Sequence, residues 1–430
     1  MRNRLSIITL ALAIWLLVGN GPDTKGPFSL SGLVGGNNAA VTLKPHQLME
    51  ATHLSAGYLI RQCDANGKFV YRINLNPAIE PRPRYNLLRH AGAIYALAFY
   101  DQAYPRKVNQ NALVRATAFL KQSAIGPIAG QQDLLAVWSH PDITHSNKPL
   151  QAKLGGTGIG LVALLSVEKR VPGTTPLEYL RKMGNFLLYM QKNDGSFYSK
   201  FIPGKGGRDD SWTSLYYPGE AALGLLMLYE KDPSLKWLQA AADCIAYLAH
   251  MRQGQQLVEA DHWALLATAQ LLPLYDLCRQ PLPPKAIERH AVQICESILK
   301  SRPIKYDRSI RNGGFTTDGR TTPTAIRLEG LLAVLGFLPA EYINLYHKIG
   351  LAVDDGLRFL LRAQIRSGEY AGGIPRAIHT LPEDHPQFKK SFNRRAGEVR
   401  IDYVQHALGA MLQYRRIFFG TNKLHSLDVN

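Results

Sequence analysis

The stretch DDSWTSLYYPGEAALGLLMLYE runs from Asp209 to Glu230. It opens with two carboxylates, passes through Trp212, Tyr216 and Tyr217, and turns at Pro218-Gly219 into an apolar run headed by Glu220. Polar groups head five other apolar runs. These are Arg89 and His90 in NLLRHAG, Thr157 in GGTGIG, Asp261 and His262 beside Trp263 in EADHWALL, Arg327 and Glu329 in TAIRLEGLL, and Asp402 and His406 in RIDYVQHA. Two chemistries fit these residue types. Glycoside hydrolysis needs one carboxyl to protonate the leaving oxygen and another to activate water or attack the sugar. Asp210 or Glu220 as acid with Asp261 as base is the preferred pairing, with Trp212, Tyr216, Tyr217 and Trp263 as stacking faces for sugar rings. Epimerase or lyase chemistry instead needs a His or Tyr base and an Arg that neutralises the developing charge. His90, His262, Tyr216, Tyr217 and Tyr403 fit the first role, and Arg89, Arg327 and Arg400 the second. Asp261 and Asp402 also read as ordinary helix-start acids. Capping does not account for His90, Arg327, Glu329 or His406.

The elements that must position these groups are helices. Apolar residues recur at spacings of three and four, predicting helices at 46–62, 86–100, 108–122, 155–168, 176–191, 218–231, 234–252, 261–277, 284–300, 324–337, 341–364 and 401–417. Those at 86, 155, 218, 261, 324 and 401 are Gly-, Ala- and Leu-rich around their circumference, as buried helices are. The alternating ones are amphipathic and carry Lys, Arg and Gln. This alternation predicts six helical hairpins in a ring, with inner helices forming the wall and their N-termini converging on one mouth. Unpaired N–H groups and a partial positive charge would gather there. Strands are expected only as short hairpin pieces in the loops, near Lys68–Asn74 and Gly195–Phe201.

A local repeat supports the ring. GYLIRQCDANGKFVY (57–71), NFLLYMQKNDGSFYS (185–199) and RFLLRAQIRSGEYAG (358–372) each end a helix in Gln, followed by a Gly turn and an aromatic. Asn-Gly and Asp-Gly tolerate positive φ and make turns, and internal repetition points to one repeat-built toroid. Together with YYPGEAALGLLMLYEKDPSLKWLQAAADC, the pattern resembles the (α/α)6 toroids of the six-hairpin glycosidase-like superfamily, including glucuronyl C5-epimerase-like and N-acylglucosamine 2-epimerase-like proteins. The resemblance covers about 46–417. It implies an all-α toroid and work on carbohydrates, most simply as a glycoside hydrolase, with uronate epimerase or polysaccharide lyase activity as the alternative. A non-catalytic glycan-binding or cell-envelope assembly protein is a third reading.

The 430 residues carry a formal charge of +17, and 46% of them are hydrophobic. A large core is therefore affordable to the chain, and the charge favours an anionic polysaccharide or oligosaccharide partner. No run of Lys or Arg marks a nucleic-acid tail. Arg2 and Arg4 precede an apolar stretch from Leu5 to Val18. Its length suits an export signal better than a membrane span. The expected organisation is a signal peptide or N-terminal anchor at 1–21, a flexible lead-in at 22–45, the toroid at 46–417 and a tail at 418–430, in an exported (periplasmic or secreted) protein that touches membrane only if the N-terminal segment is retained. The four cysteines, Cys63, Cys244, Cys278 and Cys295, include no CxxC and make no disulfide framework. GGTGIG lacks the dinucleotide-binding spacing, and His140, Asp142 and His145 read as a surface loop. No Walker A, GxSxG or HExxH occurs, so neither cofactor nor metal is expected.

Overall fold

The computed structural model describes residues 43–303 and 309–420. The expected leader at 1–21, most of the lead-in and the chain beyond Gly420 lie outside the described residues. The principal helices are α1 (Pro45–Gln62), α2 (Leu87–Ala103), α3 (Lys107–Ala124), α4 (Leu154–Arg170), α5 (Leu177–Tyr189), α6 (Tyr217–Lys231), α7 (Leu235–Arg252), α8 (His262–Leu271), α9 (Pro284–Lys300), α10 (Thr321–Leu335), α11 (Ile343–Ala363) and α12 (Ile401–Tyr414). The even-numbered helices pack side by side in a closed ring, α12 returning to α2, and the odd-numbered ones cover the outside. This is an (α/α)6 toroid.

Burial follows the sequence pattern. On α9 the buried positions Ile287, Ala291, Ile294, Cys295 and Ile298 form one stripe. On α6 every residue from Gly219 to Leu226 is buried. A helix covered on all sides belongs inside, and a striped helix belongs outside. Most boundaries fall within three residues of the periodicity, and at two of those that differ proline gives the reason. The run 261–277 ends as α-helix at Leu271, and Pro273 sends the remainder into tighter 3-10 turns. α10 begins three residues early, because Pro323 is accommodated in its first turn.

The loops hold more sheet than expected. β2 (Ile125–Ile128), β3 (Gln131–Ser139), β4 (Gln151–Lys153), β5 (Lys200–Ile202) and β6 (Gly207–Asp209) form an antiparallel sheet in that order. Val137 N–H donates to Thr157 Oγ1 at 3.0 Å, fastening the sheet to the first turn of α4. β1 (Arg72–Asn74) pairs with β7 (Glu398–Arg400), so the first hairpin loop meets the strand entering the last helix.

The repeated turn has a structural role. Gly67, Gly195, Gly313 and Gly372 all have φ between +85° and +91°. A Cβ at these glycines would lie 2.0, 2.5, 2.2 and 1.8 Å from the backbone oxygens of Arg115, Asp243, Asp355 and Leu54 respectively. Each turn therefore clasps the backbone of the following outer helix, and Gly372 clasps α1 to close the circle. The Gln of the motif reinforces this: Gln364 Nε2 donates to Ala51 O and Ser55 Oγ, both at 2.8 Å. The four cysteines are free thiols. No described helix is long and apolar enough to cross a membrane.

Candidate functional site

Inner-helix glycines make room for polar side chains inside the ring. A Cβ at Gly155 on α4 would lie 1.9 Å from Glu220 Oε2, and one at Gly409 on α12 would lie 2.1 Å from Glu329 Oε1. The missing side chain of one helix is thus the seat of its neighbour's carboxyl. Glu220 is buried, its Oε2 has no hydrogen-bond partner, and burial pushes its carboxyl well above the ordinary range, toward the protonated form.

Three groups from α8, α10 and α12 meet in one cluster. His406 Nδ1 and Glu329 Oε2 are hydrogen-bonded at 2.7 Å. The His262 ring lies 5.5 Å from that of His406 and 5.1 Å from that of Tyr216, centroid to centroid. His262 is 1% exposed, and neither ring nitrogen has a hydrogen-bond partner. Burial lowers its pKa well below 6.5, helped by His406 and Arg327, so the imidazole is neutral. Burial raises Glu329, with His406 opposing the shift. Arg327 Nη1 donates to Pro323 O at 2.9 Å, while its buried Nε has no partner.

The other expected site residues divide by what already holds them. Asp261 is fully buried, caps α8 by accepting from Ala264 N–H at 3.1 Å, and pairs with Arg252 at 2.7 Å. Asp210 is half exposed at the rim and pairs with Lys192. Asp402 is held by Arg89 Nε at 2.7 Å and Arg400 Nη2 at 2.9 Å, and these cations overcome burial to keep its pKa below the usual carboxylate range. Arg89 also donates to Tyr71 Oη at 3.1 Å. His90 is fully buried, with Nε2 bonded to Ala116 O and Nδ1 to Tyr85 Oη, so both nitrogens are engaged away from any ligand. Trp263 is buried against His262. Tyr217 stands edge-on to Trp212, which is 49% exposed.

The structure therefore brings together His262, Glu329, His406, Tyr216 and Arg327, with Glu220 free on the α4–α6 side. Proton transfer is open to this set. So is metal binding in principle, because His262, Glu329 and His406 each offer a ligand atom within 4.8 Å of the others, and two His with a carboxylate suit a zinc-type cation. A metal ion there and proton transfer through His406 would draw on the same three side chains. Sequence reasoning did not single out Lys153 and Lys200, which face each other across β4 and β5 at the rim. Their meeting depends on strand register, and no periodicity in the sequence reports it.

No family model matches the chain, and no curated protein matches it in sequence. Solved structures do match in fold. Cellobiose 2-epimerase from Spirochaeta thermophila aligns with TM-score 0.57 at 16% identity, covering 88% of this chain and 99% of that one. A D-mannose isomerase aligns with TM-score 0.58 at 12% identity, covering 86% and 96%. An inactive variant of the GH76 α-1,6-mannanase of a Salegentibacter species, in complex with α-1,6-mannotetrose, aligns with TM-score 0.56 at 11% identity, covering 85% and 98%. The chain has the six-hairpin (α/α)6 toroid fold that these epimerase, isomerase and hydrolase structures share.

Proposed function

We propose that this chain is a sugar epimerase or isomerase, acting by proton transfer at a carbon next to a carbonyl. The observation that carries the reading is the cluster of His262, at the start of α8, with the Glu329-bound His406 from α10 and α12. With Nδ1 fixed by Glu329, His406 uses Nε2 to take the proton from carbon. The electron pair of that C–H bond moves into an enediolate, whose carbonyl-derived oxygen accepts a hydrogen bond from the N–H of the neutral His262 ring. Arg327 offsets the negative charge that develops. Return of that proton from His406 Nε2 to the other face of the same carbon, presented when the enediolate turns, reforms the original carbonyl and gives the epimer; return to the neighbouring carbon, with the hydroxyl proton passing to the other oxygen, gives the isomer. The cellobiose 2-epimerase and D-mannose isomerase folds support this class of reaction.

Hydrolysis is the second reading, favoured by Glu220, a buried carboxyl with a free oxygen suited to a general acid. Its weakness is the partner carboxylate, since Asp261 is committed to Arg252 and the α8 cap. The substrate in either case is an acidic mono- or oligosaccharide, in keeping with the +17 charge. The N-terminal segment 1–21 exports the protein, which N-terminal sequencing of secreted or periplasmic material checks.

The deciding experiment incubates the protein in D2O with reducing sugars and uronates, neutral and acidic, and follows them by proton NMR. Deuterium entering one C–H position, with no new reducing ends, is the expected result. New reducing ends without deuterium incorporation would replace this reading with hydrolysis.

A further inference from the structure

The antiparallel register of β4 and β5 sets Lys153 directly opposite Lys200. Like charges at directly opposed positions destabilise a sheet, and Asp209, opposite Lys200 on β6, faces only the second of them. Lys153 is half-buried and directly precedes α4, and its ammonium has no hydrogen-bond or salt-bridge partner among the described residues. The first turn of α4 that follows it contains no acid. Burial together with Lys148, Arg89 and Lys200 pushes the Lys153 amine down to about 8. Arg89 is already committed to Asp402. The Lys200 amine lies 4.6 Å from the centroid of Trp212, the half-exposed aromatic at this rim. Two residues beyond Lys153, Gly155 abuts the free oxygen of Glu220. The rim thus combines unbalanced cations, an aromatic plate and a buried carboxyl with an unpartnered oxygen beside the inner helices.

We propose that Lys153 and Lys200 form an oxyanion subsite, which takes the carboxylate or phosphate of an acidic sugar whose ring rests on Trp212. An anion between the two ammonium groups would relieve their repulsion and supply the partner that Lys153 lacks. The subsite rests on the sugar-enzyme reading and narrows its substrate to sugars that carry an acid group.

Binding is measured by calorimetry and by tryptophan fluorescence on the full chain, with glucuronate, glucose 6-phosphate, glucose and inorganic phosphate as probes. Lys153→Met, Lys200→Met and Trp212→Ala are compared with the wild type. The expected result is binding of glucuronate or glucose 6-phosphate at least tenfold tighter than glucose, with that preference lost in both lysine variants. Trp212→Ala should weaken both sugars while leaving inorganic phosphate unchanged. The glucuronate and glucose 6-phosphate arms identify which acid group is read. Equal affinity for glucose and the acidic sugars, or an acid preference unchanged in Lys153→Met and Lys200→Met, would overturn the subsite. Because these measurements need no turnover, they separate the two claims. Lysine-dependent binding without deuterium exchange would leave the subsite standing and remove the epimerase reading, whereas exchange on neutral sugars with no acid preference would do the reverse.

Discussion

Nδ1 of His406 and Oε2 of Glu329 meet at 2.7 Å across the contact between α12 and α10, and Gly409 leaves the space in which the carboxyl lies. A carboxyl group on one imidazole nitrogen fixes the ring's orientation and tautomer and leaves the other nitrogen to face a substrate. Glu329→Gln keeps the shape and removes the charge. It should lower kcat for sugar deuterium exchange by about 10²–10⁴-fold, with KM changed much less. A kcat within twofold of the wild type would take Glu329 out of the proton transfer.

Gly155→Ala tests the second glycine seat. Its Cβ would fall 1.9 Å from Glu220 Oε2 and 2.3 Å from Tyr217 Cδ1. Overpacking of this kind costs about 1–3 kcal/mol, which urea unfolding reads directly. Gly204→Ala is the control, because its Cβ meets nothing within 4 Å. The two variants should differ clearly in midpoint, and equal midpoints would mean that Glu220 moves aside freely.

The Asp261–Arg252 pair should behave as part of the scaffold. Breaking a buried pair from one side strands a charge and costs about 3–5 kcal/mol. Arg252→Met should therefore unfold at markedly lower urea concentration. Asp261→Asn should lose stability too, while the folded fraction retains most of its kcat. An Asp261→Asn protein as stable as the wild type but inactive would return Asp261 to the chemistry and revive the hydrolase pairing.

Stability should fall on mild acidification. Burial lowers His90 to about 4 and, with Arg252 adding to it, His290 to about 3. The unfolded chain binds these protons near pH 6.5, so stability is whole above that pH and is lost as pH falls through the folded values. His90 alone can contribute about 3 kcal/mol to this loss. Glu220 and Glu329 act in the opposite sense, because their raised pKa values relieve a penalty when they protonate. Urea unfolding between pH 7 and pH 4.5 should give a shallower slope in His90→Asn than in the wild type. Parallel slopes would contradict a neutral buried His90.

Chelation and metal addition separate the two uses of the His262, Glu329 and His406 cluster. EDTA should leave deuterium exchange unchanged, and added Zn2+ should inhibit it at least tenfold by binding the three side chains that the proton transfer uses. Loss of activity in EDTA with recovery on Zn2+ would make the cluster a metal centre.

The ring was legible because its physics is local and repeated. All-round apolar runs such as Gly219–Leu226 can only be inner helices, and the Gln–turn–Gly–aromatic unit recurs where hairpins close. Polar groups in such runs stand out, so Glu220, Glu329, His262 and His406 could be picked from the sequence. What holds each of them could not, because it lies in another hairpin. Asp261 reads alike as base or cap until Arg252 is seen on it, and His90 resembles a ligand-facing histidine until Tyr85 and Ala116 take its nitrogens. The β2–β3 hairpin escaped notice because LLAVW is too short and too apolar to distinguish strand from helix by period.

The clasp between Gly372 and α1, with Ser55 Oγ donating to Gly372 O across 317 positions, bears on how the chain comes to be folded. The circle cannot shut until nearly the whole polypeptide is available, since β7 and α12 supply the last segment of its wall. Contacts of such long sequence separation form late and slowly. A nascent chain would hold open arcs of hairpins with one unpaired flank at each end, and only arrival of the last hairpin would convert them into a cooperative whole. Circular permutation at an outer loop, which moves this seam, should change the folding rate more than the final stability.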